Sequence, residues 1–429
     1  MDIKKIIMIE YSLPYNKTAL NIQIEEKHKV DLFLPRNHGI ELSEIELLST
    51  AIRNPIDFPY SDKFWGKGHK VAITINDKTR PVPNNKIFPP LLNLLGEVGV
   101  KKEDITIIIA TGTHLPMPEN EHCLLLRKEL SSCYKMVSHD CDDEKNLVFK
   151  GKTRYGTPVY VNSIFDQAAI KIVVGNIEPH HFAGFSGGVK SASIGVCGRK
   201  TINHNHALLR DPHSSVGRYE DNPLRQDIEE IGRLIGVDLA LNVILNEQKD
   251  ILHALWGNPE AVMLKGIQLI RENDLINIKE PYDLVIASAG GYPKDINLYQ
   301  SQKALTHASL FCKKGGNVIL TAACSEGVGS QSYVDFMKGV TSHEEAKRKF
   351  DNLGFTVGPH KSYQFAQISE KVHFEIKSEI DQSTMSDLLI QPVENLQDRV
   401  DQLLSFLPDN AKIAIIPFAT ATIPNIEGG

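Results

Sequence analysis

Short runs of consecutive β-branched residues recur along the chain, and they constrain its fold more than any other feature. The runs lack the apolar–polar alternation of a half-exposed strand, and each ends in small or polar residues. Such runs are typical of strands covered on both faces, as in parallel sheets. The clearest predicted strands are 69–77 (HKVAITIND), 104–114 (DITIIIATGTH), 168–180 (AAIKIVVGNIEPH), 282–291 (YDLVIASAGG), 315–327 (GGNVILTAACSEG) and 411–420 (AKIAIIPFAT).

Helix-length stretches lie between the predicted strands. Residues 222–237 begin with Asn222, which suits an N-cap, and with Pro223, which suits the first turn. Residues 302–312 and 344–354 also have helical spacing. The alternation of strand and helix predicts an α/β protein, with largely parallel sheets flanked by helices.

The length of 429 residues predicts two domains, because single cores rarely grow so large. A polar stretch at 273–283 is the expected seam. We predict a first domain over 1–272 and a second over 280–408. The strand at 411–420 can pair with either domain, and we predict that 409–429 rejoins the first.

Composition excludes several classes of partner. A formal charge of −6 and a pI near 6.3 argue against nucleic acid or an acidic membrane surface. The apolar stretch near the N-terminus is too short for a signal peptide or a membrane span. The six cysteines show no CxxC spacing, which indicates reduced thiols and a cytoplasmic location.

Ionisable side chains follow four of the predicted strands. Ligands of open parallel sheets bind beyond the carboxyl ends of the strands, so we expect these side chains to meet. A polar residue at the end of one strand is common, but ionisable residues after four strands favour a binding or catalytic site. These residues, with one polar neighbour, are Asp77 and Arg80, then His114, then His180 and His181, and then Lys294, Asp295, Tyr299, Gln300 and Lys303.

Residues 175–206 concentrate histidine, glycine and one lysine. Lys190 follows Gly187 and Gly188, so it is a phosphate contact, a nucleophile of lowered pKa or a surface residue. The two glycines favour close approach of a ligand to the backbone. Phosphate binding by one of the loops stays open, although neither GxxxxGK[ST] nor GxGxxG is present.

Geometry suggests one working imidazole from each of two histidine pairs. Neighbours in an extended segment point to opposite sides, so His180 and His181 are not expected to face one small site together. His204 and His206, near the expected start of a helix, diverge by about 200°. A zinc hydrolase is disfavoured because HExxH is absent. The residues alone predict an α/β enzyme that acts on a small anion.

Eight segments together resemble the nickel-dependent lactate racemase family over nearly the whole length. They are NPI (54–56), DKTRPVP (77–83), ATGTH (110–114), PHHFAGFSGGVK (179–190), NH (205–206), NPLRQDI (222–228), GGYPKDINLYQSQK (290–303) and CSEGVG (324–329).

The resemblance implies an active site in a cleft between the domains and a nickel cofactor. That cofactor is pyridinium-3-thioamide-5-thiocarboxylic acid mononucleotide, a nickel-pincer nucleotide attached covalently through Lys190, beside Gly187 and Gly188. His206 is the implied nickel ligand, and Asp77 lies near the cofactor. Cofactor-biosynthesis and nickel-insertion enzymes are then expected partners, and a homodimer is among the assemblies open to the chain.

The implied reaction is racemisation or epimerisation of a small 2-hydroxy acid, lactate or a relative, by proton-coupled hydride transfer. His114 and His180 match the two bases, and Arg80 matches the group that binds the substrate carboxylate. Further substrate contacts match Tyr299, Gln300 and Lys303.

Three residues depart from the commoner family pattern and leave the substrate open: Leu115, Val189 and Ile194. Two other functions are alternatives. One is a non-catalytic protein that binds a hydroxy acid or the nickel cofactor. The other is a 2-hydroxy acid oxidoreductase that uses a nicotinamide, which the absence of GxGxxG disfavours.

Overall fold

The computed structural model describes residues 7–34, 42–58, 65, 68–80, 82–246, 248–273 and 275–426. The chain divides into two compact units. The first unit takes the described residues between 42 and 270, and the second takes 7–34 together with 271–426.

The strands of the described chain are β1 (Met8–Tyr15), β2 (Thr18–Glu25), β3 (Lys29–Leu32), β4 (Val71–Asn76), β5 (Ile105–Ala110), β6 (Lys135–Ser138), β7 (Leu147–Lys152), β8 (Pro158–Asn162), β9 (Ile170–Asn176), β10 (Pro179–His180), β11 (Gly184–Phe185), β12 (Leu239–Leu245), β13 (Ile251–Gly257), β14 (Leu275–Ile278), β15 (Tyr282–Ser288), β16 (Cys312–Thr321), β17 (His373–Lys377), β18 (Gln391–Pro392), β19 (Lys412–Ile416) and β20 (Ile423–Ile426).

The α-helices of the same residues are α1 (Glu44–Arg53), α2 (Asn84–Glu97), α3 (Lys128–Ser131), α4 (Ser163–Gln167), α5 (Lys190–Ser193), α6 (Arg199–Ala207), α7 (Pro223–Ile235), α8 (Pro259–Asn273), α9 (Leu298–Phe311), α10 (Gln331–Met337), α11 (His343–Leu353), α12 (His360–Ser369), α13 (Gln382–Asp387) and α14 (Leu396–Phe406). Short 3-10 turns lie at Lys102–Asp104, Glu119–Leu124, Glu144–Asn146 and Leu208–Arg210.

The main sheet of the first unit has the order β13-β12-β9-β4-β5-β6 among the described strands. Only the edge pair β12 and β13 is antiparallel there. The central strands are apolar on both faces: Ile73 and Ile107 are fully buried on one face, and Ile108 and Val173 are fully buried on the other. The chain adds β5 and β6 on one side of β4 and β9 and β12 on the other, so the order reverses between β4 and β9. Parallel sheets form their ligand crevice at such a reversal.

The main sheet of the second unit is parallel throughout its described strands, in the order β18-β17-β16-β15-β19-β3. All six predicted strands are therefore confirmed, and so is the α/β class with largely parallel sheets flanked by helices.

The prediction that residues 409–429 rejoin the first domain was wrong, and so was the assignment of the N-terminal residues to that domain. Strand β19 pairs with β15 and β3, so it completes the sheet of the second unit and does not rejoin the first. The N-terminal hairpin β1–β2 also belongs to the second unit, because Leu13, Ile22 and Ile24 are buried in the same core as β15 and β19. A continuous apolar run predicts a central strand but does not identify its neighbours in the sheet.

The predicted helix over 222–237 is confirmed as α7. Asn222 Oδ1 accepts a hydrogen bond from the Arg225 amide at 3.0 Å, and Pro223 occupies the first turn. Gly236 ends the helix with φ 75°, a left-handed conformation that glycine adopts without strain. The helix predicted over 302–312 begins earlier, where Asn297 caps α9, and it ends before Cys312.

Among the described residues, no helix is long and apolar enough to cross a membrane.

Removing the Leu13 side chain tests the placement of the N-terminal hairpin. Leu13→Ala should lower the free energy of unfolding by about 2–5 kcal/mol, the usual cost of a large-to-small change in a core. Hydrogen exchange should then speed up in β15 and β19 and leave β4 and β5 protected. Leu32→Ala is the control, because Leu32 is 47% exposed. Loss of protection in β4 and β5 instead would contradict the assignment.

Candidate active site

Three neighbouring strands of the first unit deliver candidate residues at one edge of its sheet. Asp77 directly follows β4, His114 lies in the loop after β5, and His180 ends the short β10 that follows β9. These strands are parallel and adjacent in the order β9-β4-β5, so their carboxyl ends point the same way. This order brings the three residues to the same edge of the sheet.

Asp77 and His114 form a hydrogen-bonded pair across the ends of β4 and β5. His114 Nδ1 lies 2.6 Å from Asp77 Oδ2. Asp77 is 2% exposed, and its Oδ1 accepts bonds from the Thr79 amide at 2.9 Å and the Thr79 hydroxyl at 2.6 Å.

Burial alone raises the pKa of Asp77, but the hydrogen bonds from His114 and Thr79 outweigh it. Together with the charges of Arg80 and His114, they hold the pKa below its ordinary value. An ionised carboxylate only accepts hydrogen bonds, so the proton of neutral His114 lies on Nδ1. His114 Nε2 therefore keeps its lone pair and can act as a base.

The expectation that His180 and His181 point apart was wrong. Their rings stack, with centroids 4.5 Å apart and planes within 17°. The expectation assumed an extended segment, but β10 ends at His180 and a turn to β11 begins at His181. The turn brings the second ring to the same side as the first.

The proton of neutral His180 is placed differently from that of His114. The Ala183 amide donates to His180 Nδ1 at 3.2 Å. A ring nitrogen that accepts a hydrogen bond carries no proton, so the neutral ring has its proton on Nε2. His114 thus presents a lone pair at Nε2, whereas His180 presents an N–H there.

Lys190 begins the short helix α5 after a loop with two left-handed glycines, Gly187 (φ 83°) and Gly188 (φ 58°). A Cβ on Gly187 would lie 2.6 Å from the Ile177 side chain, and one on Gly188 would lie 2.8 Å from Arg225 Nη2. Protein packing therefore requires both glycines, whether or not a ligand approaches them.

Buried polar residues that the sequence analysis did not select hold this loop in place. Asn242 Oδ1 accepts the Gly188 amide at 2.6 Å. Arg225 is fully buried and donates to the carbonyls of Phe185 at 2.9 Å and Gly187 at 3.2 Å. The segment NPLRQDI contained Arg225, but only its capping residue had a local signature.

His206 lies in the last turn of α6, and not near the helix start as expected. Its Nδ1 is 3.2 Å from Asn205 Oδ1. His204 is exposed and lies 2.8 Å from the Thr157 hydroxyl, so the two imidazoles have separate surroundings, as predicted. Burial, and then the charges of Lys190 and Arg80, lower the pKa of His206 to about 3. His206 is thus neutral near pH 7, the form that binds metals.

Electrostatic and ring contacts join these residues into one region of the first unit. The charges of Lys190 and Arg80 act on His206, and Arg80 also acts on Asp77. The Phe182 ring lies 4.7 Å from that of His180 and 5.3 Å from that of His206. The residues predicted from the first unit therefore gather at the sheet edge.

The other predicted residues belong to the second unit, in the first turns of α9. Gln300 and Lys303 are exposed, and Tyr299 is half-buried. Lys361, which carried no sequence signal, lies with its Nζ 4.4 Å from the Tyr299 ring centroid and donates to Gln302 Oε1 at 2.9 Å. Burial, and then the charge of Lys303, hold the pKa of Lys361 well below its ordinary value.

The donor set around His206 does not by itself make a metal cage. Among the described residues, the one trio of metal-ligating side chains with ligand atoms within 4.8 Å is Asp140, Cys141 and Asp142. Arg199 already pairs with Asp142 at 2.6 and 2.7 Å. A metal bound by His206 would need donors from outside these protein groups, which a metal-carrying cofactor supplies.

Comparison with known proteins identifies the family of the chain. A model of the lactate racemase N-terminal domain matches residues 15–217, and a model of the C-terminal domain matches 278–423. The chain is 28% identical over 426 residues to lactate racemase of Thermoanaerobacterium thermosaccharolyticum, covering 97% of this chain and 99% of that one. It is also 28% identical over 418 residues to lactate racemase of Lactiplantibacillus plantarum, covering 96% and 98%.

Solved structures give the same result. The lactate racemase apoprotein from T. thermosaccharolyticum superposes with a TM-score of 0.89 at 26% identity, covering 97% of this chain and all of that one. A protein from Thermotoga maritima has a TM-score of 0.63 at 17% identity, covering 92% and 100%, and shares the fold. The chain therefore belongs to the lactate racemase family, and its enzyme class is that of the racemases, which are isomerases.

Proposed function

We propose that the protein racemises or epimerises a small 2-hydroxy acid, lactate or a close relative. The observation that carries the proposal is the Asp77–His114 pair, which leaves His114 Nε2 as a base while the charge of Arg80 acts on the same carboxylate. Its relatives are named lactate racemases, which supports lactate as the first candidate substrate.

The proposed cofactor is the nickel-pincer nucleotide, tethered through the Lys190 amine and bound to the protein by nickel at His206. The neutral imidazole of His206, the nearby charge of Lys190 and the lack of a protein-only cage there among the described residues fit this group. When bound, the cofactor would supply a group that can reversibly accept a hydride from the substrate carbon.

The protein groups then handle the carboxylate and the hydroxyl proton. A guanidinium such as that of Arg80 binds a carboxylate through two parallel hydrogen bonds. His114 Nε2 takes the hydroxyl proton of one enantiomer, and the buried Asp77 carboxylate stabilises the imidazolium that forms. A protonated His180 returns a proton to the oxygen when the other enantiomer forms. The resemblance adds Tyr299, Gln300 and Lys303 as substrate contacts, and we keep them as part of the proposal.

His180 serves the other enantiomer and needs an extra step. To accept a proton at Nε2, neutral His180 must first move its own proton to Nδ1, which breaks the bond from the Ala183 amide. Because the equilibrium constant of a racemisation is one, kcat/KM stays equal in the two directions. The extra step of His180 should therefore change kcat and KM by the same factor in the direction that uses His180 as the base.

A binding protein without catalysis would have no use for a carboxylate-oriented base. A cytoplasmic location, a homodimer, and cofactor-biosynthesis and nickel-insertion enzymes as partners complete the proposal.

A screen of enantiopure 2-hydroxy acids tests the function. The protein is co-produced with the cofactor-biosynthesis enzymes, supplied with nickel and incubated with each acid, and chiral chromatography follows both enantiomers. One acid or a few should reach an equal mixture from either side. Protein that carries nickel and cofactor and converts none of the acids would contradict the proposal.

Lys190→Ala should abolish covalent retention of the cofactor, because no amine remains to form the tether. The measurement is the intact mass of the co-produced protein. Lys200→Ala is the matched control, since Lys200 is an exposed lysine paired with Glu144. Added mass on the Lys190 variant would show that the tether lies elsewhere.

His206→Ala should impair nickel binding, whereas His114→Ala should impair turnover. The first should lose nickel, measured as metal per protein, whereas His204→Ala, from the same helix, should keep it. His114→Ala and His180→Ala should each lower kcat by about 10²–10⁴-fold, the usual contribution of a general base, with nickel unchanged. Loss of nickel from His114→Ala would mean that His114 is a nickel ligand and not the base.

Asp77→Asn should expose the contribution of the ionised carboxylate to stability. The folded-state pKa of Asp77 lies below the unfolded value, so its contribution is present above the unfolded pKa of about 3.9 and is lost as pH falls through the folded pKa. Urea unfolding of both proteins should show a difference that shrinks below about pH 4. A difference that grows below that pH would refute the assignment.

A further inference from the structure

We propose that Asp227 positions His206 for metal binding through the side chain of Asn205. The proposal rests on the proposed role of His206 as nickel ligand. Asp227 touches neither substrate nor metal in that account, so it is a positioning residue.

Asp227 is a fully buried carboxylate on α7. Its Oδ1 accepts from the Thr153 hydroxyl at 2.5 Å. Its Oδ2 accepts from the Thr157 hydroxyl at 2.8 Å and from Asn205 Nδ2 at 2.8 Å. These donors fix the carboxylate, so it is a rigid acceptor for the Asn205 amide.

The contacts of Asn205 determine which way its amide points. Its Nδ2 donates to Asp227 and also to the Leu224 carbonyl at 3.0 Å, so two acceptors take its two hydrogens. A rotated amide would place Oδ1 against both acceptors and lose both bonds. Asn205 Oδ1 therefore faces the other way, toward His206.

This orientation sets the tautomer of His206. Asn205 Oδ1 lies 3.2 Å from His206 Nδ1 and has no hydrogen to give, so Nδ1 must be the donor. The Ile202 carbonyl is a second acceptor against the same imidazole. Neutral His206 then keeps its lone pair on Nε2, where a metal can bind. Outer groups of this kind orient metal-ligating imidazoles in many sites.

The same network also ties α6 and α7 to the β7–β8 hairpin, so a loss of stability alone would not show a positioning role. The tautomer of His206 is the measurement that distinguishes the two roles. In the full-length apoprotein, ¹⁵N NMR of the histidine side chains reports which ring nitrogen is protonated, and His206→Ala identifies the signal. Wild type should show a protonated Nδ1. Asp227→Asn frees the Asn205 amide to rotate, so a population with the proton on Nε2 should appear.

Thr153→Val is the matched control. It removes one donor to Asp227 Oδ1 and leaves the contact of Oδ2 with Asn205, so it should lower stability without changing the tautomer. An unchanged tautomer in Asp227→Asn would overturn the proposal.

Asn205→Ala provides a second test if Asp227→Asn does not fold. It leaves Asp227 with its two threonine donors and removes the Oδ1 acceptor. The population with a proton on Nε2 should again rise. An unchanged tautomer would mean that Asn205 does not set the tautomer of His206, and the proposal would be wrong.

Nickel retention separates this proposal from the function on which it rests. In cofactor-loaded protein, Asp227→Asn should bind nickel about 10–100-fold more weakly, measured by loss to a chelator. If His206→Ala keeps its nickel, the proposed ligand is wrong whatever Asp227 does. If His206→Ala loses nickel while Asp227→Asn keeps both tautomer and nickel, the positioning role fails and the ligand stands.

Discussion

The hydrogen bond between Asp77 and His114 joins the ends of two neighbouring parallel strands, and the rest of the candidate site depends on that alignment. It exists because β4 and β5 are parallel and end at the same edge. The third strand of the site, β9, pairs with β4 on its other side and brings His180 to the same edge. The strand order reverses between β4 and β9, which is where open sheets leave room for a ligand.

Helix α7 holds the loops of the site in place through buried polar side chains, whose burial costs free energy. Arg225 holds the loop before Lys190, and Asp227 holds Asn205 beside His206. Buried charges stabilise a protein only when they are fully hydrogen-bonded, and breaking one partner costs several kcal/mol. Arg225 is bonded to Glu229 and to two carbonyls, and Asp227 has three donors. We infer that these residues serve the geometry of the loops more than overall stability.

Local patterns predicted the strands and α7, because β-branched runs and capping residues act over short stretches of chain. They did not predict that β19 joins the second unit, since pairing depends on residues far apart in sequence. The stacking of His180 on His181 was missed because a turn begins at His181, which the local sequence did not mark. Asp227 and Lys361 were missed because their partners lie 22 to 74 and 59 residues away along the chain, and no local spacing marks them.

In the proposed function, the histidines move only the hydroxyl proton, and the hydrogen on the substrate carbon never enters water. Racemisation of one lactate enantiomer carrying deuterium at C2, run in ordinary water with cofactor-loaded protein, tests it most directly. The opposite enantiomer should form with its deuterium retained, as mass spectrometry would show after chiral separation. Product that has exchanged its deuterium for solvent hydrogen would mean that a histidine abstracts the carbon-bound hydrogen as a proton, and the account would be wrong.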